Sequence, residues 1–367
     1  MRVLHVHAGN MYGGVEAMML TQAQQRNASP GMEPSFALCF AGRFSEALEA
    51  AEAPVHWLGN VRVRQPLSIR RARHSLRELL RKEAFDVVVT HSCWSQAIFG
   101  RVVRKAAVPL VFYLHGPADG RHWLERWARR TPPDKVICNS RFTAATIDHL
   151  YPHVRAEVVY SPVALPQLTH SDADTKQTRA ELKTPESATV IIQVSRMEPL
   201  KGHLLHLEAL SLLKDLDGWV CWQVGGPQAA GEEKYEQGLK EAASRLGIAD
   251  RVRFLGQRTD IARLLAASDI FCQPNTAPEA FGITFIEALY AHLPVITTDL
   301  GGAPEIVDDS CGRLVQPNNA GALASALKLL VEDRPLRQKL GEAGFARATA
   351  LCDVSSQMSR LRKHFSE

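Results

Sequence analysis

The stretch from Asp269 to Thr298 constrains this chain most. Asp269-Ile-Phe-Cys-Gln273 is short, apolar and suited to a buried strand. Pro274 and Pro278 bracket a loop. From about Gly282, apolar residues fall at Ile283, Ile286, Leu289, Tyr290 and Leu293, the spacing of one helix face. Leu293-Pro-Val-Ile-Thr-Thr298 then returns to a strand. Strand, helix and strand within about 30 residues form a parallel crossover. Such a unit commits the chain to an α/β sheet.

Ligands of such sheets sit at the carboxyl ends of the strands, beside the next helix. Backbone N–H groups at that helix start, on Phe281, Gly282 and Ile283, make an anion site. A phosphate is the natural guest. Two carboxylates flank it, Glu279 before the helix and Glu287 inside its second turn. Carboxylates repel phosphate, so these two are expected to meet hydroxyls. A diphosphate with a sugar on each side, a nucleotide-sugar, has hydroxyls at both ends. A lone glutamate pair is more often a solvated loop charge and a helix-surface charge, so the rest of the chain must decide.

The alternation recurs along the chain. Arg2-Val-Leu-His-Val-His7 is a strand candidate that runs into a Gly13-Gly14 loop and an apolar helix. Two glycines there let backbone approach a ligand closely. The loop is neither Gly-x-Gly-x-x-Gly nor a Gly-Lys-Ser/Thr phosphate loop. Strands are predicted over 35–40, 55–58, 85–90, 109–114 and 134–138, with 158–160 closing a first domain. Two of them place a histidine where strand meets loop, His91 and His115, and a third ends in Asn139-Ser140. Residues 161–188, rich in Pro, Ser, Thr and Asp, read as a linker. A second set of strands begins at Thr189-Val-Ile-Ile-Gln-Val194 and is followed by Ser195-Arg196 and Lys201-Gly202. Two fixed cations in a loop at a strand's carboxyl end suit a diphosphate. The next strands end in Gly225-Gly226 and lead through Arg258 into a helix. Helices are expected over 320–332, 335–349 and 354–365.

A length of 367 residues allows two or three domains, and 46% hydrophobic with 22% charged residues is ordinary for a globular chain. No run approaches the ~18 apolar residues of a membrane span, and Met1 to His7 lacks a signal-peptide core. The seven cysteines are scattered and contain no Cys-x-x-Cys pair, which fits a reduced, cytoplasmic compartment and supports no zinc site. Charge is uneven: residues 1–165 carry 21 basic and 13 acidic side chains, the remainder 22 and 26. The stretch 62–82 alone holds eight Lys or Arg and one acid. That points to a solvated basic helix, or to contact with an anionic lipid or a phosphorylated acceptor on the inner face of a membrane. The excess is too weak to argue nucleic acid. His122 to Arg130 is aromatic and basic, and suits either a core or a membrane surface.

The ordered set resembles glycosyltransferase family 4. It comprises Gly13-Gly14 with Glu16, His115-Gly116, Ser195-Arg196 to Lys201-Gly202, Glu279 and Glu287 around Phe281-Gly282, and Gly301-Gly302 with Glu305. The resemblance implies a GT-B fold, two Rossmann-like β/α/β domains facing each other across a cleft. The boundaries expected are 1–165 and 166–351, with the helix of about 352–367 packing back on the first. It implies a retaining hexosyltransferase acting in polysaccharide, lipopolysaccharide or glycolipid biosynthesis. The donor is a UDP-sugar by first preference and GDP-mannose by second. The acceptor is a hydroxyl, with a lipid-linked or phosphorylated one favoured by the basic half. Arg196 and Lys201 are expected at the diphosphate, Glu279 at donor-sugar hydroxyls, His115 near the reacting carbon and Glu287 at the ribose. Gly13, Gly14, Ser195, Gly225, Arg258, Ala280, Phe281, Gly282 and Ile283 complete the donor site. Glu16, His91, Asn139 and Ser140 are expected on the acceptor side. No cofactor and no metal are implied. Ser195 stands where the family usually has Gly, Tyr160-Ser-Pro-Val163 where an Asn-Gly turn is common, and Ala280 where a bulkier residue is frequent. A nucleotide-sugar 2-epimerase on the same architecture is the alternative.

Overall fold

A computed structural model describes residues 1–166, 171–228 and 231–366. The middle of the expected linker, 167–170, lies outside the described residues. The chain divides into two compact units, Met1–Ala164 with Cys352–Glu367, and Leu165–Leu351.

In the first unit the strands are β1 Arg2–His7, β2 Glu33–Leu38, β3 Val55–Trp57, β4 Val87–His91, β5 Leu110–Leu114, β6 Lys135–Cys138 and β7 Ala156–Val158. They form one sheet in the order β3-β2-β1-β4-β5-β6-β7, with every pairing parallel. Parallel strands covered by helices on both faces must be apolar on both sides, so β4 and β5 are buried throughout. The helix Ser92–Lys105 follows β4 without a linker and packs Ile98, Phe99, Val102 and Val103 into the core. The basic helix Pro66–Lys82 turns Ile69, Ala72 and Leu76 inward. One of its arginines is used inside: Arg73 Nε donates to the Ile98 carbonyl at 2.6 Å. In the helix Trp123–Ala128, Trp127 packs against the core while Trp123 is exposed.

The helix Val354–Ser366 buries Met358, Leu361 and Phe365, spaced along one face. It is fastened within the first unit by bonds from Lys135 Nζ to the His364 carbonyl (3.1 Å), from Arg360 to the Val158 carbonyl (2.8 Å) and from Arg362 to the Pro30 carbonyl (2.6 Å).

In the second unit the strands are β8 Thr189–Val194, β9 Trp219–Val224, β10 Val252–Phe254, β11 Ile270–Gln273, β12 Val295–Thr298 and β13 Gly312–Val315. Their order is β10-β9-β8-β11-β12-β13, again all parallel. Each sheet therefore runs outward in one direction from its first strand, then returns to that strand's other side. The reversal falls between β1 and β4 in one unit and between β8 and β11 in the other. A crevice opens at such a point because the two flanking loops leave in opposite directions.

Candidate functional site

In the second unit the reversal point is where the charged motifs meet. The loop after β8 carries Arg196 and Lys201, and the loop after β11 carries Glu279. Lys201 Nζ lies 2.6 Å from Glu279 Oε2, with side chains 17% and 18% exposed. Arg196 pairs with Glu198 at 2.5 Å in its own loop. Each cation thus has a carboxylate partner that an incoming anion can compete for.

Glycines sit where these loops touch. Gly202 has φ +74°, and a Cβ there would lie 1.8 Å from the Pro274 carbonyl oxygen. Gly225, at φ +141°, would meet the Ser195 carbonyl at 1.9 Å. Gly301 and Gly302 press against Glu279 and Ala280, and the Gly302 N–H donates to the Glu279 carbonyl at 2.7 Å. The loops after β8, β9, β11 and β12 are therefore in backbone contact, which only residues without a Cβ permit.

The helix Ile283–Tyr290 starts at Gly282, held at φ +103°. Among the described residues the N–H groups of Gly282 and Ile283 find no acceptor, and Phe281 is buried beside them. Glu287 lies further along this helix. It is partly exposed, yet desolvation pushes its carboxyl up to about 7. A carboxyl poised there both accepts and donates, which suits a pair of sugar hydroxyls. Arg258 forms a two-pronged pair with Asp260 at 2.8 and 2.7 Å, in the loop after β10.

A buried polar network supports the Arg196–Lys201 loop from beneath. Gln193 Nε2 donates to the Lys201 carbonyl at 2.9 Å, and Gln193 Oε1 lies 2.9 Å from His206 Nδ1. Gln223 Nε2 is 3.1 Å from the same nitrogen, and Ser195 Oγ is 3.0 Å from His203 Nε2. Neither Gln193 nor Gln223 is among the site residues expected from the sequence. The signal was a glutamine next to last in each of two otherwise apolar strands, in register with one another.

In the first unit the reversal point gathers four histidines. His5 and His7 alternate along β1, so both face the same side. His91 ends β4 and His115 follows β5. His5 Nδ1 lies 2.9 Å from His91 Nε2, and His91 Nδ1 lies 2.8 Å from His115 Nε2. His7 Nε2 contacts Glu16 at 2.6 Å, while the other Glu16 oxygen accepts the Gly13 N–H at 2.8 Å. Burial opposes the Glu16 charge, but the His7 bond and charge outweigh it and hold the carboxyl below its usual range. Glu16 thus pins the Gly13-Gly14 loop to β1.

All four residues expected on the acceptor side are buried. His91 connects outward through His115. Ser140 caps the turn Arg141–Ala144 by accepting the Thr143 N–H, and Asn139 accepts from Thr143 Oγ1. They shape the strand ends from within. His5 and His7 went unassigned in the sequence because nothing local links a β1 histidine to residues beyond position 90.

The family description "Glycosyltransferase Family 4" matches residues 12–165, and "Glycosyl transferases group 1" matches residues 174–347. The chain belongs to the family 4 glycosyltransferases, with the GT-B fold. It is 31% identical over 284 residues to a Streptomyces avermitilis protein named D-inositol 3-phosphate glycosyltransferase, an alignment covering 71% of this chain and 60% of that protein. It thus spans less than two thirds of that relative. Among solved structures it is similar to Anabaena Alr3699/HepE in complex with UDP-glucose, with 25% identity, a TM-score of 0.88, and 100% and 99% of the two chains covered. It also shares the fold of a glycosyltransferase from Rickettsia africae, with 23% identity, a TM-score of 0.86, and 99% and 97% covered.

Proposed function

We propose that this family 4 chain transfers a sugar from a nucleoside-diphosphate sugar to a hydroxyl acceptor with retention of anomeric configuration. One observation carries the proposal: Arg196, Lys201, Glu279 and a helix start with unsatisfied N–H groups converge at one strand-reversal point. Cations and peptide dipoles aimed at leaving phosphate oxygens lower the barrier by a few kcal/mol each. The C1–O bond to the β-phosphate breaks and the acceptor oxygen bonds to C1. The acceptor proton passes to the departing phosphate on the same face. Glu279 holds donor-sugar hydroxyls and Glu287 the ribose.

UDP is the favoured nucleotide, supported by the Anabaena complexes with UDP and UDP-glucose, and GDP-mannose is second. A phosphate-bearing acceptor suits the basic first unit, and a relative is named for D-inositol 3-phosphate. The exposed arginines of Pro66–Lys82 are proposed to meet an anionic membrane surface in glycolipid or polysaccharide synthesis. Among the described residues no helix is long and apolar enough to cross one. Full indifference to anionic vesicles at low salt ends the membrane proposal. The epimerase alternative gains no support from the relatives.

Thermal-shift measurements with UDP, GDP and ADP test the donor. A nucleotide at ~100 times its Kd adds about 2.7 kcal/mol. UDP is expected to give the largest shift, with no new nucleotide-sugar formed when donor is incubated alone. Absence of a shift with all three overturns the proposal.

A further inference from the structure

We propose that His5 and His91 are positioning residues that hold the His115 ring in the tautomer carrying its proton on Nδ1, so that the site meets a hydrogen-bond donor there. The chain of contacts runs His5 Nδ1 to His91 Nε2 (2.9 Å), then His91 Nδ1 to His115 Nε2 (2.8 Å). A neutral imidazole has one N–H and one lone pair, so each contact needs one of each. If both outer rings donated to His91, that ring would need two lone pairs and a negative charge. If His91 donated to both, it would be a buried cation.

Burial opposes that cation. It pushes His5 and His115 down to about 3 and His91 well below its usual value, with the neighbouring histidines adding to the effect on His91 and His115. His7, 6.2 Å from His91 between ring centres, is tied to Glu16 and makes a separate pair. Two proton arrangements remain. In one, all three rings are protonated on Nε2 and donate toward His5. In the other, all three are protonated on Nδ1 and donate toward His115.

The far end decides. His5 is fully buried, stacked on Phe36 at 5.3 Å and edge-on to Phe365, and its Nε2 has no hydrogen-bond partner. The first arrangement leaves an N–H stranded at that nitrogen, and the second leaves only a lone pair. A buried N–H without an acceptor is the rarer and costlier defect. The second arrangement therefore holds, and His115 Nδ1 carries a proton. This nitrogen is not among the buried, unpartnered side-chain atoms. A residue on β1 thus selects which face of a loop histidine 110 positions later is a donor.

The catalytic consequence rests on the proposed transferase function, but the tautomer does not. The test is a two-bond 15N–1H correlation spectrum of the full chain labelled with 15N-histidine, near pH 7, assigned by single His variants. His115 is expected to show a protonated Nδ1 and a bare Nε2. His5→Phe keeps the ring stack and removes both nitrogens, and is expected to mix the two His115 forms. Transfer should then fall about tenfold in kcat with little change in donor KM. His5→Asn, whose amide can donate toward His91, should restore both. A wild-type His115 protonated on Nε2 overturns the proposal, as does a His5→Phe spectrum with an unchanged tautomer. If His5→Phe fails to fold, the wild-type spectrum decides alone. The expected tautomer in a protein without transferase activity would count against the proposed function only.

Discussion

Lys201 Nζ and Glu279 Oε2 lie 2.6 Å apart, and this contact bridges the loops after β8 and β11 across 78 residues of sequence. Both side chains are mostly buried, so truncating one strands the charge of the other. Lys201→Ala is expected to lower kcat by about 10²–10³. It should also reduce stability in urea, and the Lys201→Ala/Glu279→Ala pair should recover stability but not transfer. Steady-state rates and denaturation midpoints measure both. Full transfer by Lys201→Ala would remove this residue from the mechanism.

Gly301 lies at φ +67°, with a Cβ position 2.2 Å from the Glu279 carbonyl oxygen. Gly59 has a similar φ of +87° and open space around it. Gly59→Ala should therefore cost only the left-handed conformation, about 1–2 kcal/mol. Gly301→Ala should cost clearly more and weaken nucleotide binding, because Glu279 must move. Urea midpoints and nucleotide titrations compare the two. Equal costs would mean the loops after β11 and β12 are not in rigid contact.

Stability should fall in acid. Burial lowers His5, His115 and His206 to about 3 and His203 to about 4, so the unfolded chain binds more protons than the folded one between these values and 6.5. Their contribution is complete above 6.5 and is lost as pH drops. Glu287 runs the other way: its raised value near 7 removes stability as pH climbs from 4.5 to 7. Four imidazoles outweigh one carboxyl, so Tm should drop steeply from pH 6.5 to 5. Glu287→Gln should raise Tm at pH 8 and leave it nearly unchanged at pH 4. A Tm that is flat over this range in scanning calorimetry would contradict the burial of these rings.

Gln193 holds the Lys201 carbonyl from inside the sheet. Gln193→Met keeps the volume and removes that bond. The expected result is a rise of about tenfold in donor KM with a smaller change in kcat. An unaltered KM would show that the loop holds its shape without the glutamine.

Among the described residues no group of three or more His, Cys, Asp or Glu could hold a metal ion. If Arg196, Lys201 and the helix start at Gly282 neutralise the leaving diphosphate, a chelator such as EDTA should leave most of the transfer rate intact. A rate abolished by EDTA and restored by a divalent cation would count against that assignment.

The crossover unit around Glu279 was legible because its signals are local. Period-3.6 spacing, β-branched runs and the two prolines lie within one strand–helix–strand unit. The helix Ser92–Lys105 was not, because its first turn, Ser92-Cys-Trp-Ser-Gln96, abuts β4 with no glycine or proline to separate them. The candidate acceptor contacts were placed by type and position alone. Position could not say that Glu16, Asn139 and Ser140 are engaged by β1 and by the caps of their own turns.

Local sequence was sufficient for two α/β units, for cations after β8 and carboxylates after β11, and for glycines at the strand ends. Each of these follows from side-chain chemistry within a few residues. Only the tertiary structure decided that β1 lies beside β4 and β8 beside β11, and hence that His5 reaches His91 and Lys201 reaches Glu279. Parallel strands pair through long crossovers, so their neighbours are set by packing both faces of a sheet at once. No window of sequence carries that information.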